Sequence, residues 1–227
     1  MHGCRGTDGR LDASRIAEVI AQCEPDVIAL QELDVGRARS GGMDQAHEIA
    51  RELDMKFHFH AAMKVEEEHY GNAILTARPM RFVKSGILPA LGEPRGALHV
   101  EIESGDGPIQ VFTTHLGVMR GQRNLQLDPL LSRKWIGGID SNMPLVLMGD
   151  FNAVPYSGVY RRLTRVMQDA TQYRGRRGAT FPSRFPLLRI DHIFVRGPVT
   201  SLGSCVHDSA LARRASDHRP LYVDLEI

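Results

Sequence analysis

An aspartate and an asparagine lie two positions apart in Asp150-Phe151-Asn152, directly after the apolar run 145–148. Side chains alternate faces along an extended backbone, so a carboxylate and a neutral amide can project together from the end of a buried strand. The same pair is also typical of an Asx turn that ends a strand. The motif alone leaves both interpretations open.

Four other apolar runs have acidic or histidine side chains at one end. Glu32 and His115 follow their runs, whereas Asp191 and the pair Asp217-His218 precede theirs. If the strands alternate in direction, exits and entries meet at one edge of the sheets. We therefore expect these side chains to gather with Asp150. Each alone has a simpler explanation, as a solvated strand end or a turn, but five together are harder to dismiss.

Three carboxylates of this set would repel one another when close, namely Glu32, Asp150 and Asp217. The repulsion is about 4 kcal/mol per pair at about 4 Å and an effective dielectric constant near 20. Either some of them are protonated or a cation holds them together. Oxygen ligands without cysteine favour a hard ion, Mg²⁺ or Mn²⁺, over zinc.

Composition narrows the class of protein. The 28 Lys and Arg residues nearly balance the 27 Asp and Glu residues, so no global field favours nucleic acid or an anionic surface. The three cysteines are widely spaced, which indicates free thiols in a reducing compartment. No apolar run is long enough for a membrane-spanning helix, and residues 1–10 have no signal-peptide character. These features predict a cytoplasmic protein without an integral membrane segment.

Alternating apolar segments outnumber helical ones, and short turns join many of them. Helices are predicted from about residue 13 and residue 44, and from 122 to 139 with a break at Asp128-Pro129. The segment 174–177 is predicted to be a loop. With no internal repeat or linker, residues 1–227 are expected to form a single domain of two mixed, mainly antiparallel sheets flanked by helices.

Five ordered motifs resemble those of the endonuclease/exonuclease/phosphatase superfamily, which includes deoxyribonuclease I. The resemblance covers residues 2 to about 226 and implies a four-layer α/β sandwich and Mg²⁺-dependent hydrolysis of a phosphate ester. The motifs are Gln31-Glu32-Leu33, Thr114-His115-Leu116, Gly149-Asp150-Phe151-Asn152, Arg189-Ile190-Asp191-His192-Ile193 and Ser216-Asp217-His218.

The resemblance also implies roles for individual residues. Glu32 corresponds to the principal metal ligand and Asp217 to a second metal-associated acid. Asp150 corresponds to the residue that orients the attacking water or protonates the leaving oxygen. His218 corresponds to the catalytic histidine, as a general base or phosphate stabiliser, with Asp191 fixing its tautomer.

Four more residues complete the expected site. By the same resemblance, His115 and Asn152 correspond to positions that contact the phosphate. Asn72 and Arg95 are candidates for substrate contacts, although turn geometry explains Arg95 nearly as well.

One feature departs from the family pattern. Family members open with a core strand that ends in an asparagine of the metal and phosphate site, whereas this chain begins near the following segment, His2-Gly3. We expect the fold to lack that strand, which should leave backbone groups unpaired. N-terminal truncation is the favoured explanation, and an upstream targeting segment is then compatible with the sequence.

The sequence indicates a class of substrate and leaves the identity of the substrate open. Near-zero net charge favours a small or lipid-derived phosphodiester, with an endonuclease or exonuclease activity on DNA or RNA as the alternative. A second alternative is a non-catalytic binding module, because the first metal-site strand is missing. The sequence makes no prediction of oligomeric state.

Overall fold

The computed structural model describes residues 2–90, 92–171 and 178–227; the predicted loop 174–177 lies outside them. Its helices are α1 (Ala13–Ala21), α2 (Gln45–Glu52), α3 (Arg120–Leu131), α4 (Gly158–Leu163) and α5 (Ala210–Ala215). Its strands are β1 (Val27–Val35), β2 (Lys56–Val65), β3 (Glu68–Thr76), β4 (Met80–Leu88), β5 (Arg95–Ser104), β6 (Gly107–His115), β7 (Leu145–Asp150), β8 (Gln168–Asp169), β9 (Asp191–Arg196), β10 (Thr200–Val206) and β11 (Leu221–Glu226).

The first two helices begin at the predicted residues because aspartates cap them. Asp12 accepts a hydrogen bond from the Arg15 amide, and Asp44 accepts one from the His47 amide. The predicted break at Asp128-Pro129 is wrong, since α3 continues through Pro129 and ends at Leu131. Proline removes one backbone hydrogen bond, and in the last turn of a helix whose inner side is buried that loss is tolerated.

The larger sheet has six strands in the order β4-β5-β6-β7-β9-β8. Strands β6 and β7 are parallel, with α3 in the connection between them, and all the other pairings are antiparallel. The edge strand β4 was not predicted, nor was β10. Both have polar or exposed residues where a buried strand would have apolar ones, so their sequences lack a clear strand pattern.

The opposite layer consists of a three-stranded sheet, β1-β3-β2, and a two-stranded sheet, β10-β11. Apolar residues of both, among them Ile74 and Leu221, pack with residues of the large sheet in one core. A second core lies between α1, α2, α5 and the outer face of β1 and β3. A third lies between α3, α4 and the outer face of the large sheet. The predicted four-layer sandwich of two mainly antiparallel sheets is therefore confirmed.

The structure has a gap at the position where the first core strand of the family was expected to be missing. Strand β1 pairs only with β3 and β11 pairs only with β10, and within the described residues no strand lies between β1 and β11. A cleft of about 660 Å³ occupies that position, between the α1 and α5 helices and the large sheet. Its walls are largely apolar, but Glu32, Asp150, Asp191 and His218 line it as well. We call it the central cleft.

None of the helices within the described ranges combines the length and apolar character needed to cross a bilayer.

Candidate active site

Three predicted site residues form a row across the large sheet. His115 ends β6, Asp150 ends β7 and Asp191 begins β9; in the strand register His115 is opposite Asp150 and Asp150 is opposite Asp191. The close approach of β6 and β7 requires Gly149, because a Cβ atom there would lie 1.9 Å from the Thr114 carbonyl oxygen. The exits of the parallel strands β6 and β7 and the entry of the antiparallel strand β9 thus place these side chains at one edge.

His218 reaches the row from the loop before β11. Its Nδ1 lies 2.8 Å from Asp191 Oδ2, and its Nε2 lies 3.9 Å from Asp150 Oδ2. The hydroxyl of Thr180 donates to the same Asp191 oxygen, and the Phe181 ring packs against the imidazole with 4.9 Å between centroids. Asp191 therefore orients the ring, with Nδ1 toward the carboxylate and Nε2 toward the Asp150 side chain.

Glu32 approaches from the other sheet on a β-bulge. Gln31 and Glu32 together oppose the single residue Asn72 of β3, and Glu32 has a φ angle of 63°. Its carboxylate accepts a hydrogen bond of 2.7 Å from the His2 amide and lies 4.0 Å from His115 Nδ1. A left-handed conformation at a non-glycine residue costs free energy and is frequent at functional sites.

Both interpretations of the Asp150-Phe151-Asn152 motif apply to Asn152, which ends the strand in a turn and also lies beside the site residues. Its amide N–H donates to Asp150 Oδ1 at 2.7 Å, and its φ of 47° completes a tight turn after β7. Its Nδ2 donates to the Leu116 carbonyl at 2.9 Å and lies 3.2 Å from His115 Nε2. The side-chain nitrogen thus holds the β6 and β7 ends together, which leaves the side-chain oxygen as an acceptor.

Charge in the cluster is unevenly distributed. Burial, and then the neighbouring charge of Asp191, raise the pKa of Asp150. Burial opposes the charged form of His218, yet the charge and hydrogen bond of Asp191 raise its pKa to about 9. Burial likewise opposes ionisation of Asp191, but His218 and Thr180 lower its pKa. The structure therefore favours an Asp191–imidazolium pair beside a carboxyl group that is poised to exchange a proton.

The other two ionisable groups of the site behave differently. Burial, followed by the charge of Arg95, lowers the pKa of His115 to about 3, so this imidazole is neutral. Burial raises the pKa of Glu32, whereas the hydrogen bond from the His2 amide lowers it. The carboxylate of Glu32 lines the central cleft.

The chemistry of these side chains fits a hard divalent cation. Ligand atoms of Asp150, Asp191 and His218 all lie within 4.8 Å of one another. The charge of Asp191 adds to burial in raising the pKa of Asp150, and a cation beside the two carboxylates would offset their repulsion. Asp150 and Glu32 lie at opposite ends of the His115 ring, at 3.5 Å from Nε2 and 4.0 Å from Nδ1. Their oxygens are ligands that Mg²⁺ or Mn²⁺ prefers.

The remaining predicted residues lie outside this cluster. The Asp217 carboxylate accepts a hydrogen bond from Ser216 Oγ at 3.3 Å and does not belong to the three-residue cluster. Asn72 is buried beside the bulge, where its Nδ2 donates to the Gly96 carbonyl at 3.2 Å. Arg95 is buried at the start of β5, paired with Glu93 at 3.0 Å. Of these three, only Arg95 affects the charge of a site residue, His115.

Thr180 and Phe181 were not predicted as site residues. They lie in an irregular segment in which Phe181 forms an isolated bridge with Leu188. This segment lies outside the sequence motifs that contain Asp191 and His218. A threonine and an aromatic residue in a loop give no signal by type or spacing. Only their position against Asp191 and His218 reveals them.

Comparisons with known proteins identify the family and the fold. Residues 2–218 match the model of the Endonuclease/Exonuclease/phosphatase family. YbhP of Escherichia coli (strain K12) is 30% identical over 166 residues, which cover 71% of this chain and 64% of YbhP, so less than two thirds of that relative is matched.

Two solved structures have the same fold. An endonuclease/exonuclease/phosphatase from Beutenbergia cavernae DSM 12333 superimposes with a TM-score of 0.79 at 24% identity, covering 100% of this chain and 69% of its own. The mannosyl-6-phosphatase Bt3783 of Bacteroides thetaiotaomicron VPI-5482 gives a TM-score of 0.74 at 19% identity, covering 95% and 90%. The family match spans nearly the whole sequence, and the chain belongs to the endonuclease/exonuclease/phosphatase family.

Proposed function

We propose that this chain hydrolyses a phosphodiester with the help of Mg²⁺ or Mn²⁺. The observation that carries the proposal is the Asp191–His218 pair, 2.8 Å apart, with His218 Nε2 directed at Asp150 in an open cleft. An oriented imidazolium beside a carboxyl of raised pKa is an arrangement for proton exchange at a phosphoester.

Each residue then has a task. His218 donates from Nε2 to a phosphoryl oxygen and stabilises the charge that develops there, while Asp191 holds Nδ1–H and thereby the ring. Asp150 takes a proton from the attacking water or returns one to the leaving oxygen. The neutral, buried ring of His115 accepts from Asn152 Nδ2 at Nε2, so its N–H is at Nδ1 and faces Glu32. The phosphate contacts of His115 and Asn152 that the resemblance implies remain predictions. Asn72 and Arg95 remain candidates for substrate contacts. The metal-associated role that the resemblance implies for Asp217 remains a prediction, and the position of Asp217 outside the Asp150–Asp191–His218 cluster argues against it.

The metal would be held by Glu32, the principal ligand that the resemblance implies, and the carboxylates of Asp150 and Asp191, which line the same cleft, would add negative charge around it. When bound, such an ion offsets phosphoryl charge and lowers the pKa of a coordinated water. The hydrogen bond from the His2 amide favours the ionised form of Glu32, which is the form that binds a cation.

Balanced charge supports a small or lipid-derived phosphodiester over nucleic acid. The formal net charge is +1, which gives no overall attraction to a polyanion. Bt3783 is a phosphatase by its name, and a sugar-derived phosphoester is one compatible class. The nuclease alternative, the binding-module alternative, the single domain and the cytoplasmic location all remain predictions.

Hydrolysis of bis(p-nitrophenyl) phosphate tests the proposal. We expect turnover with Mg²⁺, its loss in EDTA, and recovery when Mg²⁺ or Mn²⁺ is added in excess. A His58→Gln variant is a matched control, since His58 lies on β2 against Phe82 and outside the site. Turnover that survives chelation would contradict the metal requirement, and cleavage of plasmid DNA at a higher rate would favour the nuclease alternative.

Absence of turnover with any phosphoester, metal present, would favour the binding-module alternative.

A further inference from the structure

Exposed apolar side chains are concentrated around the mouth of the candidate site. Seven of the fourteen large exposed apolar residues of the described chain lie in the segments 116–120, 151–157 and 178–188, which we call the rim. They are Val118, Met119, Val154, Tyr156, Phe185, Leu187 and Leu188. Tyr156 and Phe185 are 76% and 77% exposed, more than any other large apolar residue of that group. Packing within the fold does not account for them.

The rim segments form one surface because the strands they join are neighbours. Two of them follow His115 and Asp150 at the ends of β6 and β7, and the third precedes Asp191 at the start of β9. The Leu116 amide donates to the Asp150 carbonyl, and the Phe151 amide donates to the Ile190 carbonyl. All three segments are therefore anchored to the row of site residues.

Charge on the rim has one sign. The three segments contain no aspartate or glutamate, although the chain has 27 acidic residues. Arg120 and Arg184 are exposed beside Met119 and Phe185, and the Arg184 guanidinium also donates to Thr7 at 3.3 Å. Apolar side chains beside positive charges, without acids, are complementary to the interface of an anionic bilayer.

We propose that the rim docks on the surface of an anionic phospholipid bilayer and so presents the site to lipid headgroups. The apolar side chains enter the boundary between headgroups and acyl chains, and the two arginines contact lipid phosphates. The proposal extends the proposed function and rests on it for the fate of the headgroup, whereas binding itself needs no catalysis.

Vesicle co-sedimentation in EDTA tests docking without turnover. The probes are vesicles of phosphatidylcholine alone and of phosphatidylcholine with phosphatidylglycerol in a 7:3 ratio. We expect the wild-type chain to bind the anionic vesicles and the double variant Phe185→Ser/Leu187→Ser to bind at least tenfold more weakly. The matched control is Ile87→Ser/Leu202→Ser, two residues of 68% and 64% exposure on β4 and β10, which should bind within twofold of wild type.

Three results would overturn docking. The first is wild-type protein that stays in the supernatant with anionic vesicles, and the second is equal loss of binding in the rim and control variants. The third is a rim variant whose only change is a smaller mass in size-exclusion chromatography, which would make the rim a contact between copies. Hydrolysis of bis(p-nitrophenyl) phosphate by the wild-type chain is scored separately. Vesicle binding without any turnover would contradict the proposed function alone, and turnover without vesicle binding would contradict docking alone.

Discussion

The two Asp-His pairs of this chain have the same side chains in the same order, yet the fold uses opposite members of each. In the pair that begins β9, Asp191 lies in the site and His192 is buried on the other face of the sheet. In the pair before β11, His218 lies in the site and the Asp217 carboxylate bonds to Ser216. Asp191 and His192 point in opposite directions because they begin an extended strand. Asp217 and His218 lie in a bend, in which the Ser216 hydroxyl accepts from the His218 amide.

The same contrast governs the charge of the two histidines. His192 accepts from Arg189 and donates to the Ala153 carbonyl at 2.7 Å, and burial lowers its pKa to about 4. His218 contacts Asp191, and its pKa rises to about 9 in spite of burial. The partner of a histidine, more than its burial, decides whether the ring is a structural neutral group or a catalytic cation.

Replacing the site histidine should give the largest effect. We expect His218→Ala to lower kcat by about 10³-fold, because a positioned proton donor is lost. The melting temperature should stay within a few degrees, since the ring lies in an open cleft. Steady-state kinetics with Mg²⁺ and a thermal melt check both. A variant with near-normal kcat would remove His218 from the reaction.

Replacing the buried histidine should reverse that pattern. We expect His192→Ala to lower the free energy of unfolding by about 3 kcal/mol, from the cavity beside Phe151 and Phe194 and the unpaired Ala153 carbonyl. Urea denaturation measures the loss. The protein that remains folded should retain kcat, and a large fall in kcat without loss of stability would contradict a structural role.

Replacing Asp191, the partner of His218, should have a smaller effect on kcat than replacing His218. We expect Asp191→Asn to lower kcat by about 30-fold, since ring orientation is weakened while the imidazole remains. Without the negative charge the pKa of His218 should fall from its raised value. Activity that needs the protonated ring would then be lost at a lower pH as the pH rises. An alkaline limb that does not move would show that His218 does not act as the cation.

His99, which lies outside the site, tests how burial changes the pKa of a histidine. Buried His99 stacks on Phe112, and burial lowers its pKa to about 4. The unfolded chain therefore binds more protons as the pH falls below about 6.5, and stability is lost between that pH and about 4. We expect His99→Gln to remove about 1 kcal/mol of this acid loss. Urea denaturation measures the free energy of unfolding at pH 7.5 and pH 5 for the wild type and the variant. An equal loss of free energy between the two pH values in both proteins would contradict the prediction.

Asp217 should give the smallest effect. Its carboxylate lies outside the Asp150–Asp191–His218 cluster, so we expect Asp217→Asn to change kcat by less than about threefold, no more than a typical exposed substitution. The Mg²⁺ concentration for half-maximal activity should also stay unchanged. A loss of kcat above tenfold, or a higher Mg²⁺ concentration for half-maximal activity, would support the metal-associated role that the family resemblance implies.

Local rules account for what could be predicted from the sequence. Asp150, Asp191 and His115 occupy ends of apolar runs. His115 and Asp150 share an edge because β6 and β7 are parallel, and Asp191 joins them because β9, which it begins, is antiparallel to β7. The strands β4 and β10 escaped prediction because edge strands need no continuous apolar face. Thr180 and Phe181 escaped because their contribution depends on a contact with Asp191 or His218 and leaves no periodic pattern.

The sequence by itself determined the family, the strand-end positions of the polar groups and the kind of cation they suit. Only the tertiary structure decided which face of each strand is the site, since both members of an Asp-His pair satisfy the same local pattern. It also decided that Glu32 joins His115 through a bulge and that an open cleft separates β1 from β11. These outcomes depend on how layers distant in sequence pack, and no local spacing encodes that packing.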